Sequence, residues 1–250
     1  MALGSAFTAP ATAMGPAKPA AAVMIITGPT TVGTLSNPAR STPSSEAAPA
    51  ICAQLPARAS AGPIVANGKV ITGRQCQPAA TNDSCIITAH DAATGKELWR
   101  TRTIPRKGEP GDETWGDVPM EQRWHVGTWM VPSYDPDLNR IYIGTSVTSP
   151  APKFMLAGND KQYLYHNSTL ALDADTGKIV WYLQHVVDNW DLDHPFERMI
   201  VDTTVAPDPK SVKWINPRVR TGQAYKVITG IPGKTGIVYT LDRETGEFLW

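Results

Sequence analysis

The chain has 250 residues, enough for one large domain or two small ones, and its 23 Lys and Arg balance 23 Asp and Glu to a formal net charge of zero. That neutrality argues against a nucleic-acid binder or a polybasic membrane-surface protein, either of which needs a cationic face. The 20 Gly and 22 Pro suit a turn-rich β protein better than a helical one, and no sustained apolar stripe of helical period is present.

In chain order, the first 60 residues stand apart. They hold 16 Ala, 8 Pro, four charges (Lys18, Arg40, Glu46, Arg58) and one aromatic, Phe7. With so little large apolar surface to bury, residues 1–60 are expected to be disordered or low-complexity, and residues 61–250 to form the folded domain. All eight Trp and all seven Tyr lie in that second part. The N-terminus lacks the basic region and apolar core of a signal peptide, since the run Ala20 to Ile26 is short and uncharged at its front. No stretch approaches the ~20 apolar residues of a membrane span, so a soluble chain is expected. Cys76 and Cys85 bracket a loop of turn formers. They read either as a small-loop disulfide, which an oxidising compartment would permit, or as two separate thiols.

The next elements repeat. Asp91-Ala-Ala-Thr-Gly-Lys-Glu-Leu-Trp99, Asp173-Ala-Asp-Thr-Gly-Lys-Ile-Val-Trp181 and Asp242-Arg-Glu-Thr-Gly-Glu-Phe-Leu-Trp250 share one pattern, beginning 82 and then 69 residues apart. Each copy follows a β-rich run and leads into another, so Asp-x-x-Thr-Gly reads as a hairpin turn. Its Gly supplies positive φ, and its Asp and Thr side chains bond the turn backbone. Pro63-Ile-Val-Ala-Asn-Gly-Lys-Val-Ile-Thr and Arg140-Ile-Tyr-Ile-Gly supply further strands. A recurring four-stranded unit with a Trp at a fixed place is how a propeller blade is written, the Trp packing between neighbouring sheets. The expected fold is therefore all-β: a partial β-propeller of about three blades of four-stranded antiparallel sheets, with Trp99 and Trp181 buried between them. Three marked repeats are too few to close a ring, so the chain reads as a fragment.

On this docking-tryptophan repeat, residues 61–250 resemble the quinoprotein alcohol dehydrogenases, whose eight-bladed propeller carries pyrroloquinoline quinone (PQQ). The resemblance implies several site residues. Trp129, in Gly127-Thr128-Trp129 ahead of Ser133-Tyr134-Asp135-Pro136, falls on the tryptophan that floors the quinone, and a large flat ring suits a tricyclic cofactor. Thr128 beside it joins the cofactor-binding set. In Asp188-Asn189-Trp190-Asp191-Leu192-Asp193, Asp191 falls on the catalytic base and also on a metal ligand, and Asp193 on the carboxylate added in lanthanide-using members. Alcohol oxidation needs such an ionised carboxylate to take the hydroxyl proton. Lys234, in Gly230-Ile-Pro-Gly-Lys-Thr-Gly236, falls on the cation that bonds the quinone oxygens. The same segment is not a phosphate loop, because Ile228 stands where that motif needs glycine and a strand follows where a helix is required.

The sequence also departs from that pattern. Val147 falls where a metal-ligating asparagine is expected, Gly73 to Cys85 contains no Glu, and the adjacent-cysteine disulfide that covers the cofactor in typical members is missing. Calcium wants six or more oxygens, which leaves Asp191 and Asp193 as the obvious side-chain candidates for Ca²⁺ or a lanthanide. The five histidines (His90, His125, His166, His185, His194) lack metal-binding spacing. His185 and His194 flank the Asp191 segment and read as structural or solvated, or as the border of a substrate entrance. No Cys-x-x-Cys-His haem attachment, serine elbow or dinucleotide fingerprint occurs. The resemblance implies a periplasmic, PQQ-dependent alcohol dehydrogenase fragment with Ca²⁺ or a lanthanide, passing electrons to a separate cytochrome c or quinone. The other reading is a non-enzymatic propeller scaffold for protein–protein contacts, similar to the lipoproteins of outer-membrane assembly.

Overall fold

The computed structural model describes residues 61–74, 84–123, 125–148, 161–187 and 191–250. The N-terminal segment, residues 1–60, and Cys76 lie outside them. Among the described residues the regular structure is β, with two short 3-10 turns at Asp112–Trp115 and Met120–Gln122. No helix among them is long and apolar enough to cross a membrane.

The first sheet runs β1 (Ile64–Ala66), β2 (Lys69–Gly73), β3 (Ile86–Asp91), β4 (Glu97–Arg102), each antiparallel to the next. Asn67 and Gly68, at φ 45° and 73°, turn β1 into β2 in the conformation that Asn-Gly favours. The second sheet repeats the order with β5 (Ser133–Asp135), β6 (Arg140–Gly144), β7 (Ser168–Asp173) and β8 (Ile179–Gln184). The third holds β9 (Met199–Thr204), β10 (Ala224–Gly230) and β11 (Tyr239–Asp242). Its fourth strand is reduced to the bridge Leu241–Phe248 and the bonds of Thr240 with Leu249 and Trp250. This differs from the expected four full strands. The first strands of the sheets adjoin, β1 meeting β5 and β5 meeting β9.

The repeated turn is built the same way each time. Asp91 Oδ1 accepts the Ala93 and Thr94 N–H groups at 3.1 and 2.7 Å and the Thr94 hydroxyl at 2.8 Å. Asp173 and Asp242 repeat all three bonds. The Gly of each turn has positive φ, and in two of them it also receives the preceding blade's tryptophan. A Cβ on Gly177 would stand 2.4 Å from the Trp99 ring, and one on Gly246 would stand 2.6 Å from Trp181. Trp99 Nε1 donates to Ala174 O at 3.1 Å and Trp181 Nε1 to Arg243 O at 3.2 Å. Both rings are buried, as the repeat requires. Around them lie two inter-sheet clusters. One joins Ile71, Ile87 and Trp99 to Ile141, Leu170 and Leu172; the other joins Tyr142, Ala171 and Trp181 to Ile228 and Leu241.

The segment between the first two sheets has its own core. Trp115 stacks on Tyr163 with centroids 4.9 Å apart and donates to Leu164 O at 2.5 Å. Cys85, Ile104, Val118 and Val126 close around the pair. Cys85 is disulfide-bonded; Cys76, its expected partner, is outside the described residues.

Candidate functional site

The expected site residues come from three loops on one rim of the sheets. β2 and β6 each end in a glycine, Gly73 and Gly144, and each lets another loop press against the strand end. A Cβ on Gly73 would lie 1.9 Å from Thr128 Oγ1, and one on Gly144 would lie 2.1 Å from His194 O. Gly233, just past β10, is equally close to Asp193 O and the His194 ring. The three strands end alike in the sequence, as Ile-Thr-Gly73, Tyr-Ile-Gly144 and Ile-Thr-Gly230, although in the third the close approach falls three residues later, at Gly233. That repeat is a signal the motif reading passed over.

Residues 125–129 run beside the loop after β6, Gly127 N–H donating to Ser146 Oγ at 2.8 Å and Ser146 N–H to Gly127 O at 3.0 Å. The loop 191–196 then crosses both. His194 N–H donates to Thr145 O at 3.3 Å, and Val147 N–H donates to Asp193 Oδ1 at 3.1 Å. The third loop, after β10, brings Lys234, whose own N–H donates to Asp193 O at 3.0 Å.

At the centre the Lys234 ammonium stands 2.8 Å from Asp191 Oδ2 and 2.8 Å from Asp193 Oδ2. Side-chain exposure is 78% for Asp191, 38% for Lys234 and 7% for Asp193, so a buried carboxylate anchors the lysine and a solvent-facing one shares it. The hydrogen bond from Lys234 holds the Asp191 carboxyl below the ordinary carboxylate range. Burial works against the Lys234 charge, but the two carboxylates outweigh it and the ammonium is held above its usual range. His125 joins this centre to Trp129. Burial lowers its basicity, opposed by the Asp193 and Asp191 charges, and its ring lies 6.0 Å from that of the half-buried Trp129. Thr128 is buried, and its Oγ1 has no hydrogen-bond partner.

Sequence reading missed the support behind the loop. Arg198 is buried and donates to Thr169 Oγ1 at 2.9 Å, to His194 O at 2.8 Å and to Phe196 O. An arginine only donates, so the Thr169 hydroxyl gives its own hydrogen to His185 Nε2, 2.7 Å away. His185 stacks on His194 at 4.8 Å, nearly parallel. His194 is fully buried, so it supports the loop and does not border an entrance. Burial pushes His194 down to about 4 and His185 well below the usual imidazole range.

Protonation therefore opposes folding here. The folded pKa of His194 lies below its unfolded value of 6.5, so the unfolded chain binds the proton first and stability falls as pH drops from about 6.5 towards 4. The full effect is about 3 kcal/mol. Denaturation midpoints followed from pH 7.5 to 4.5 should show a shallower decline in His194→Phe, which keeps the stack without the titration. Equal slopes would refute this assignment.

Among the described residues no group of three His, Cys, Asp or Glu is placed to hold an ion. The PQQ-binding set fits better: an aromatic face at Trp129, a buried hydroxyl on Thr128 that lacks an acceptor, and an ammonium with one donor left over.

Residues 48–250 match the model of the family described as PQQ, glucose/ethanol/alcohol dehydrogenase, β-propeller domain. The chain is 32% identical over 203 residues to the quinohemoprotein alcohol dehydrogenase ADH-IIG of Pseudomonas putida, a match covering 75% of this chain and 25% of that enzyme. It is 31% identical over 204 residues to the dehydrogenase subunit of the alcohol dehydrogenase (quinone) of Gluconobacter oxydans, covering 75% and 24%. The solved structure of the Pseudomonas putida HK5 quinohemoprotein alcohol dehydrogenase ADHIIG aligns with a TM-score of 0.60 at 30% identity, over 76% of this chain and 27% of that one. The chain thus spans about a quarter of the length of these relatives.

Proposed function

The chain belongs to the PQQ family of glucose/ethanol/alcohol dehydrogenase β-propeller domains, and from that premise we propose that it forms part of an enzyme oxidising an alcohol to an aldehyde or ketone, with Asp191 as the base. The observation that carries this reading is the Asp191–Lys234–Asp193 arrangement beside His125 and Trp129. When bound, PQQ supplies the two-electron acceptor for the hydride equivalent leaving the alcohol carbon. The chain's own groups do the rest. Asp191, exposed and kept ionised by Lys234, takes the hydroxyl proton on a carboxylate oxygen. Lys234 has three N–H donors; two serve Asp191 and Asp193, and the third is left for an oxygen of the cofactor. Asp193, nearly buried and bonded by Val147 N–H, keeps the ammonium in place when Asp191 becomes neutral. Trp129 offers a stacking face and Thr128 a hydroxyl donor.

A separate cytochrome c or quinone is the proposed electron acceptor, and the periplasm the proposed compartment. The disulfide-bonded Cys85 favours an oxidising environment. The test is PQQ binding, followed by fluorescence quenching, together with dye-linked alcohol oxidation by the intact protein. Asp191→Asn should lower turnover about a hundredfold or more while PQQ still binds, because the amide keeps the shape but cannot take the proton. Trp129→Ala should instead weaken PQQ binding. If saturating PQQ neither binds nor supports oxidation, the propeller is a protein-binding scaffold and this reading fails.

A further inference from the structure

We propose that the ammonium of Lys234 replaces a metal ion at this carboxylate pair, so that the site takes neither Ca²⁺ nor a lanthanide. The catalytic meaning of this inference rests on the reading of Asp191 given above. Both carboxylates turn their Oδ2 atoms to one nitrogen, each at 2.8 Å, so the place between them that suits a cation already holds one. The second oxygen of Asp193 is engaged as well, accepting the Val147 N–H at 3.1 Å. Of four carboxylate oxygens, only Asp191 Oδ1 is left without one of these bonds. A hard cation needs six or more oxygens, and the side chain at position 147 is a buried valine, which has none to give. The loop from Gly73 to Cys85 contains no glutamate in its sequence. An added divalent or trivalent ion would also have to sit beside the ammonium that the same carboxylates hold, and like charges at that separation repel.

The arrangement has a functional consequence. A metal ion holds its carboxylates through several bonds at once, whereas one ammonium can release Asp191 and remain on Asp193. The exposed carboxylate is then free to move as it gains its proton, with the buried one fixing the lysine.

The test needs no PQQ and no alcohol. Terbium, a hard trivalent probe whose emission a nearby tryptophan sensitises, and Ca²⁺, followed by calorimetry, are titrated into the protein and four variants. The wild-type protein should show no stoichiometric binding at this site up to about 1 mM, the weak end of extracellular calcium modules. Lys234→Met keeps the aliphatic stem and the backbone bond to Asp193 O but frees both Oδ2 atoms. It should gain terbium affinity by about tenfold or more, and Asp193→Asn added to it should remove the gain. Lys234→Arg keeps the cation and should bind no better than wild type, which separates loss of charge from loss of fold. Wild-type binding that Asp193→Asn abolishes would overturn the proposal, and so would the absence of any gain in Lys234→Met. Failure of PQQ binding would instead count against the dehydrogenase reading and leave the metal result standing.

Discussion

Trp181→Ala is expected to destabilise the joint between the second and third sheets by about 3–5 kcal/mol, the range for deleting a large buried ring. The ring packs on Gly246, where even a Cβ would approach within 2.6 Å, and lies 5.7 Å from the Tyr142 ring. Its Nε1 donates to Arg243 O. Trp181→Phe keeps most of the packing and loses that bond, so about 1 kcal/mol is expected. Gly246→Ala attacks the same joint from the other side. It adds a side chain at φ 79° and forces the ring outward. Because the two residues touch, their effects should not add: Gly246→Ala should cost clearly less once Trp181 is alanine. Denaturant midpoints of the two single variants and the double variant measure this, and simple additivity would refute the docking account.

Arg243→Met should cost a comparable 3–5 kcal/mol, for an electrostatic reason. Arg243 sits in the turn of the third sheet and donates to Asp135 Oδ2 in β5 of the second at 2.6 Å, with side-chain exposures of 3% and 1%. It also donates to Val201 O at 3.0 Å and pairs with Asp202. Removing the guanidinium leaves the Asp135 carboxylate buried without its countercharge, and that stranded charge carries the cost. Asp135 Oδ1 meanwhile accepts the Asp137 and Leu138 N–H groups at 2.9 and 3.2 Å, a role that an asparagine oxygen can fill. Asp135→Asn should therefore rescue Arg243→Met in large part. If the double variant is no more stable than Arg243→Met, the cost lies in lost packing of the arginine stem and the charge account is wrong.

The Arg243 pair also marks where sequence reading stopped. Asp135 entered as part of a Tyr-Asp-Pro signature and Arg243 as an unremarked residue of a repeat, 108 positions away. Nothing local says that they meet. The same holds for Arg198, a residue without motif whose three bonds hold the loop of His194.

What the sequence by itself determined was local and repeated. Asp-x-x-Thr-Gly closes its own hydrogen bonds within a few residues, so three copies could be read as three turns without knowing the rest of the chain. The tryptophan at a fixed offset then implied sheets stacked side by side. The candidate residues Trp129, Asp191, Asp193 and Lys234 came from the resemblance those repeats supported. Only the tertiary structure decided how they are engaged. Asp193 and Lys234 are 41 positions apart, and whether a carboxylate pair holds a metal or an ammonium depends on which long-range loop delivers its cation. That delivery is set by strand-end glycines and buried contacts between sheets, which act through space and leave only a faint trace in spacing.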